Sequence, residues 1–356
     1  MKAVSLFSGI GGLDIGVHRA FEEAGCEVAP LLFCEKDPFC QEVLTRHWPG
    51  VRLCSDVTQL SLAGLERAEI LTMGFPCQDV SEMQKNYSQY SQYSSQLSRL
   101  PRTGLFHHGW RLALEARAKI IIMENVSAFS KRGAAEVSEV CRASGYQFES
   151  MVVSASRFGA PHQRKRWLGI AWRDTDLIAT GWSTRVPDRV EPPAAPTYWA
   201  KRSWPTLRAN KLCGEYLKPW LARYDQGAVT TPHIETALRI SHMEQQGQGD
   251  TDYIDQLQMS VPWAERLMGF PPHYTRTDDP HTEPEPVVYT WGEEWAAAQG
   301  GRLKDFSSEP RHRSCARLTA LGNAVVPAWS YHMVKHVLDY TRDKAAYPHL
   351  LDMLGS

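Results

Sequence analysis

No two of the eight cysteines, at positions 26, 34, 40, 54, 77, 141, 213 and 315, form a CxxC pair. That removes zinc-ribbon spacing and thioredoxin-like redox chemistry from the candidates, and no metal site is expected. Long apolar runs are missing too: none approaches the ~20 residues a membrane-spanning helix requires. Nor is there a signal-peptide core, because Met1-Lys2 lead straight into a strand-like run. The expectation is a cytoplasmic chain with reduced thiols and no membrane contact. Charge of one sign is also lacking. Lys and Arg total 39 against 40 acidic residues, a net charge of −1, so the totals give no hint of a polyanionic partner. Local patches carry that question instead. Arg164-Lys165-Arg166, Lys201-Arg202 with Arg208 and Lys211, and Arg311-His312-Arg313 with Arg317 are basic, whereas residues 278–294 are acidic.

What is present is apolar material, 43% of 356 residues. That is more chain than one hydrophobic core usually fills, which predicts one large domain and a smaller one. Residues 3–7, AVSLF, read as a buried strand, and SGIGG follows as a turn. Leu13, Gly16, Val17, Ala20, Phe21 and Ala24 then recur at helical spacing, with Gly25 where a C-cap glycine belongs. Further apolar runs at 28–34, 51–54, 70–73 and 120–123 end at Glu35, Asp56, Phe75-Pro76-Cys77 and Glu124-Asn125. Between runs lie helical patterns such as 105–118, and 151–155 and 167–172 look like two more strands. The fold class this predicts is α/β, with a mostly parallel sheet covered on both faces. Ligands of such sheets bind beyond the carboxyl ends of the strands, where Gly9, Glu35, Asp56, Cys77 and Glu124 would converge.

After about residue 175 prolines at 187, 192, 193, 196 and 205 interrupt the chain and the alternation is lost until a last helix at 328–341. The expected division is 1–175 for the sheet domain, 176–317 for a smaller irregular domain, and 318–356 for a segment returning to the first. One low-complexity tract of Ser, Gln and Tyr spans 84–98.

The glycine loop lets a ligand approach the backbone at a helix N-terminus, and Glu35 suits ribose hydroxyls. The loop lacks the third glycine of GxGxxG, which disfavours a nicotinamide cofactor. A lone cysteine is more often a small buried hydrophobe than a nucleophile; Cys77 gains weight from Glu124 at a neighbouring strand end and from the arginines of GAPHQRKRW.

The ordered series FSGIGG, FCEKD, GFPCQDVS, RTGLF, MENV, FGAPHQRKRW, RLMGFP and LGNAVVP resembles the C5-cytosine DNA methyltransferases. The resemblance spans nearly the whole chain. It implies a Rossmann-like methyltransferase domain that binds S-adenosylmethionine, plus a target-recognition domain. Phe7, Ser8, Gly9, Ile10, Gly11 and Gly12 would line the cofactor pocket with Glu35, Lys36, Asp56, Val57, Gly74 and Pro76, and Asn323-Ala324 would close it. Glu35 would hold the ribose and Asp56 the adenine amino group. Pro76 and Cys77 would be the catalytic pair, with Cys77 attacking C6 of a flipped-out cytosine. Glu124 would hydrogen-bond N3 and the exocyclic amine, Arg164 would contact the O2 side, and Arg166 would belong to the same catalytic group. Gln78, Ser81 and Arg102 would meet DNA from a closing loop, and Arg202, Arg208, Asn210 and Lys211 from the recognition domain. Duplex DNA is the implied partner, a cognate restriction endonuclease a further one, and the expected state is a monomer. A transfer-RNA cytosine methyltransferase and a non-catalytic DNA-binding homologue are the alternatives.

Three positions depart from the family pattern. His162 stands where glutamine is usual, Lys36 where an aromatic often stacks on adenine, and Pro262 where many members carry an arginine. Phe7 and Pro38 are the expected substitutes for adenine packing.

Overall fold

A computed structural model describes residues 1–76, 104–190, 204–209, 233–246, 257–278 and 311–346, with a few isolated positions between these stretches. In chain order its elements are β1 (Lys2–Leu6), α1 (Gly12–Glu23), β2 (Ala29–Cys34), α2 (Pro38–His47), β3 (Arg52–Cys54), β4 (Ile70–Met73), α3 (Leu105–Glu115), β5 (Ile120–Val126), α4 (Phe129–Arg132), α5 (Ala134–Ala143), β6 (Gln147–Ser154) and β7 (Lys165–Trp172). Then come α6 (Ile234–Gln246), β8 (Gln258–Met259), α7 (Val261–Leu267), β9 (Leu303–Lys304), α8 (Arg311–Asn323) and α9 (Pro327–Ala346). Among the described residues no helix is long and apolar enough to cross a membrane.

The chain forms two compact units. The first comprises Met1–Ser154, Lys165–Asp188 and Trp329–Ser356; the second comprises Ala155–Arg164 and Arg189–Ala328. The second unit therefore takes an excursion, 155–164, from within the span the sequence assigned to the sheet domain, and it extends past 317 to 328.

In the first unit seven strands form one sheet in the order β3-β2-β1-β4-β5-β7-β6. All pairs from β3 to β5 are parallel, and β7 runs antiparallel to both its neighbours. The β5 run Ile120–Met123 is fully buried because helices cover both faces, which is why it reads as a continuous apolar stretch rather than an alternation. Strand order reverses direction between β1 and β4, and open parallel sheets bind ligands at such a reversal. One helix side of the sheet is filled by Leu6, Leu71, Met73, Phe106, Leu112, Phe129 and Trp167.

β5 continues three residues beyond Met123. Antiparallel pairing with β7 extends the ladder through Glu124↔Leu168, Asn125↔Trp167 and Val126↔Arg166. The apolar run stops at Met123, but cross-strand pairing carries the strand on through two polar residues.

In the second unit Trp204, Trp263 and Trp295 pack together, with ring centroids 5.6 and 5.7 Å apart. His162 is fully buried there and its Nε2 lies 2.9 Å from the Leu267 carbonyl, which makes Nε2 the protonated nitrogen. The departure from glutamine at this position thus keeps a hydrogen-bond donor.

Candidate active site

The turn after β1 is built from left-handed backbone: Phe7 at φ 56°, Gly9 at 55° and Gly11 at 80°. Gly11 is the residue before α1, and its requirement is steric as well as conformational. An added Cβ would collide with the indole of Trp48, which itself packs on Phe33 with centroids 4.9 Å apart. Trp48 was missed from the sequence, since nothing in its position after α2 signals that it supports a loop from β1. Gly11→Ala should therefore lower stability by about 2–3 kcal/mol, from positive-φ strain and overlap together. Urea unfolding checks this, and adding Trp48→Ala should recover part of the loss.

At Gly9 the opposite holds, for an added Cβ would meet no atom within 4 Å. Its N–H donates to Glu35 Oε2 at 2.7 Å, while Glu35 Oε1 accepts from the Asp37 N–H at 2.8 Å. The Lys36 backbone also donates to this carboxylate, and of its roughly four acceptor sites one remains for a hydroxyl donor. Burial raises the Glu35 pKa, opposed by these backbone hydrogen bonds. Asp56, beyond β3, is held by the hydroxyl and N–H of Thr58 at 2.7 and 2.9 Å, which lower its pKa, and the charges of Lys36 and His108 act in the same direction. Val57 beside it is buried. Two carboxylates flanking an open glycine loop fit the ribose and adenine of S-adenosylmethionine.

Phe7 leans against α3: a Cβ at Gly109 would sit 3.5 Å from its ring. Pro38 is exposed at the start of α2. Ser8 and Ile10 are buried, and the Gly12 carbonyl accepts from Ser330 Oγ at 3.2 Å.

Beneath this loop lies Asp14, which the sequence reading did not single out. Thr72 of β4 donates to its Oδ1 at 2.6 Å and Ser5 of β1 to its Oδ2 at 2.9 Å. Burial pushes its pKa up to about 6 from an ordinary 3.8, against the pull of those hydroxyls. The folded chain holds this proton to higher pH than the unfolded chain does, so the group's contribution to stability falls as pH rises from about 4 to 6.

Across the strand reversal, the Gly74 N–H donates to the Leu6 carbonyl at 3.3 Å. Phe75 is wedged against Phe106 and Phe129, at 5.4 and 5.1 Å between centroids. Its carbonyl accepts from Asn125 Nδ2 at 3.2 Å. The segment entering Pro76 is thus fixed from β5. Asn125 is a second residue missed in sequence, visible in MENV but without a pattern that assigns it a partner.

Glu124 is 9% exposed, and its Oε1 lies 2.8 Å from Arg166 Nε. The register explains the pair: Arg166 sits opposite Val126, on the same face as Glu124 and diagonal to it. A Cβ at Gly74 would lie 3.6 Å from Glu124 Oε2, so the carboxylate stands over the end of β4. Cys77, three residues on, lies outside the described residues, as do Gln78, Ser81, Arg102, Arg202, Asn210, Lys211, the 84–98 tract and nearly all of the acidic stretch.

Arg164, expected on the O2 side of the base, is held by backbone carbonyls. It is 3% exposed, in the second unit, at φ 28°. Its guanidinium donates to the carbonyls of Leu207, Gly322 and Ala324 at 3.0, 3.1 and 2.6 Å. Those three acceptors make it a tie within that unit, and the arginine on the Glu124 carboxylate is Arg166. Asn323 ends α8, exposed, with Ala324 buried beside it; Arg208 is exposed.

A family model described as C-5 cytosine-specific DNA methylase matches residues 1–263. The chain belongs to this family. Among methylases similar to it, the type II methyltransferase M2.BsuMI of Bacillus subtilis (strain 168) is 31% identical over 179 residues, covering 48% of this chain and 42% of that protein. M.NlaX of Neisseria lactamica is 28% identical over 201 residues, with 53% and 59% covered. M.HhaI of Haemophilus parahaemolyticus is 28% identical over 180 residues, with 49% and 50% covered. The matched stretch thus spans about half the length of these curated relatives. In fold, this methylase chain is similar to the S. pombe Dnmt2 methyltransferase, with a TM-score of 0.54 at 16% identity, covering 96% of this chain and 99% of that one. A putative DNA modification methyltransferase encoded within a prophage (E. coli) gives 0.53 at 16% identity, with 95% and 99% covered.

Proposed function

We propose that the chain is a DNA (cytosine-5-)-methyltransferase using S-adenosylmethionine, acting on a cytosine flipped out of duplex DNA. The observation that carries this reading is the Glu124 carboxylate, held by Arg166 over Gly74, three residues before Cys77. Phe7 to Gly12, Glu35, Lys36, Asp56, Val57, Gly74 and Pro76 would hold the cofactor, with Asn323 and Ala324 at its amino-acid end. When bound, the cofactor supplies a methyl group on a sulfonium sulfur.

Cytosine C5 is a poor nucleophile. Addition of the Cys77 thiolate at C6 makes C5 an enamine carbon, while Glu124 stabilises the charge that develops at N3 by donating a proton or a hydrogen bond to it. Arg166 positions Glu124 and takes the place next to the base that the sequence reading gave to Arg164. Once C5 carries the methyl group, loss of the C5 proton to a base and departure of the Cys77 thiolate from C6 restore the aromatic ring. Gln78, Ser81 and Arg102 would meet DNA around the extruded base, and Arg202, Arg208, Asn210 and Lys211 would contact phosphates and base edges. A monomer in the cytoplasm, working opposite a cognate restriction endonuclease, completes the reading.

Nucleoside mass spectrometry after incubation with S-adenosylmethionine tests it. Unmodified duplex DNA should acquire 5-methylcytosine. Modification confined to transfer RNA, or absent from both substrates, overturns the assignment.

A further inference from the structure

Asp14 is a buried acid that the proposed chemistry does not use. Among the described residues no lysine, arginine or histidine forms an ion pair with it; the hydroxyls of Ser5 and Thr72 and its own backbone N–H solvate it. Ser5 Oγ bridges Asp14 and Ser8 Oγ at 2.9 Å each, and Ser8 Oγ reaches the carbonyls of Ser5 and Cys34 at 3.2 and 3.4 Å. This chain of hydroxyls runs from the strand reversal to the loop that the cofactor reading assigns to the ligand. An anion without a counter-ion, surrounded by apolar packing, projects a field that solvent screens little. Its placement is costly, since burial opposes its ionisation. A bound cation would offset that cost.

We propose that Asp14 is a specificity-determining residue of the cofactor site, whose carboxylate favours the positively charged sulfonium cofactor over its uncharged thioether product, S-adenosylhomocysteine. This rests on the cofactor reading above. The two ligands share adenine, ribose and the amino-acid end, so Glu35 and Asp56 act on both alike. They differ only at sulfur, in the methyl group and the positive charge it confers; both are lost on transfer, and loss of the charge weakens the product's hold on the site.

The titratable groups around Asp14 keep this separable. His18, one turn along α1, has its pKa lowered to about 4 by burial and is neutral above that. Glu35 faces the loop from the end of β2, and its ionisation changes affinity for both ligands together.

Isothermal titration of the full chain with S-adenosylmethionine and S-adenosylhomocysteine, at pH 5 and pH 7, tests the proposal. The ratio of the two dissociation constants should favour the sulfonium ligand at pH 7 and narrow by about tenfold at pH 5, as Asp14 takes up its proton. In Asp14→Asn the ratio should be narrow at both pH values. A structural lesion would weaken both ligands equally and leave the ratio unchanged. Should Asp14→Asn fail to fold, the pH dependence of the wild-type ratio decides alone. Wild type that binds both ligands with a pH-independent ratio overturns this assignment only. Wild type that binds neither overturns the cofactor reading and the assignment with it.

Discussion

Cys77→Ser should form 5-methylcytosine at least about 10⁴-fold more slowly than the wild type, because a serine hydroxyl has no accessible anion near neutral pH. Glu124→Gln should be less severe, falling by about 10²–10³-fold. Glutamine fills the same volume over Gly74 and still offers an acceptor to Arg166, but it has no proton to deliver to N3 and no charge to pair with the guanidinium. Arg166→Lys keeps a cation on the diagonal of the β5–β7 ladder while removing the Nε donor, so its loss should be nearer tenfold. Initial rates of methyl transfer to duplex DNA rank the three. S-adenosylmethionine binding should be nearly unchanged in Glu124→Gln, since Glu35 and Asp56 lie at other strand ends. Activity of Glu124→Gln within a few-fold of wild type would remove the general-acid role and leave Cys77 without its partner.

That ranking turns on a distinction the sequence shows only in part. Arg164 and Arg166 are two residues apart in one basic triplet, so alternation puts both on the same face, and nothing in the letters says which meets Glu124. The choice is made by where β7 begins. Lys165 is its first residue, so Arg166 pairs opposite Val126 while Arg164 falls outside the ladder and into the other unit. Strand ends were legible because apolar runs in a covered parallel sheet stop abruptly at polar residues, which located Glu35 and Asp56. Partners across space were not legible. Trp48 under Gly11, Asn125 on the Phe75 carbonyl and Asp14 between Ser5 and Thr72 join residues 37, 50 and 9 or 58 positions apart. No periodicity encodes such distances. The division near 175 was inferred from proline density, which marks irregular backbone rather than the boundary of a packed unit. It could not register the 155–164 excursion, whose ends are neighbouring antiparallel strands.

Arg317→Leu should lower stability by about 3–5 kcal/mol, although it lies far along the chain from every proposed catalytic residue. The sequence showed Pro262 where many relatives carry an arginine, and it left open what steadies that region. In the second unit α8 supplies a buried cation to α7. Arg317 Nη2 lies 3.0 Å from Glu265 Oε1 of α7, with the two side chains 5% and 0% exposed. The same Glu265 oxygen accepts from the N–H and hydroxyl of Thr275 at 2.8 and 2.5 Å, and Arg317 Nε donates to that hydroxyl at 2.9 Å. Glu265 Oε2 accepts the N–H of His273 at 2.5 Å, and His273 is held at φ 66°, a strained value for a side chain with a Cβ. One buried carboxylate therefore organises the turn after RLMGFP, and removing its cation leaves a buried charge with no other counter-ion among the described residues. Glu265→Leu should cost a similar amount, because it strands the guanidinium and frees His273 from its only carboxylate tether among the described residues. The double change to leucine should recover a large part of either loss, as two apolar side chains carry no desolvation penalty. Urea unfolding of the four proteins closes the cycle. Single changes costing under about 1 kcal/mol, or losses that simply add in the double variant, would mean that the pair does not hold this unit together.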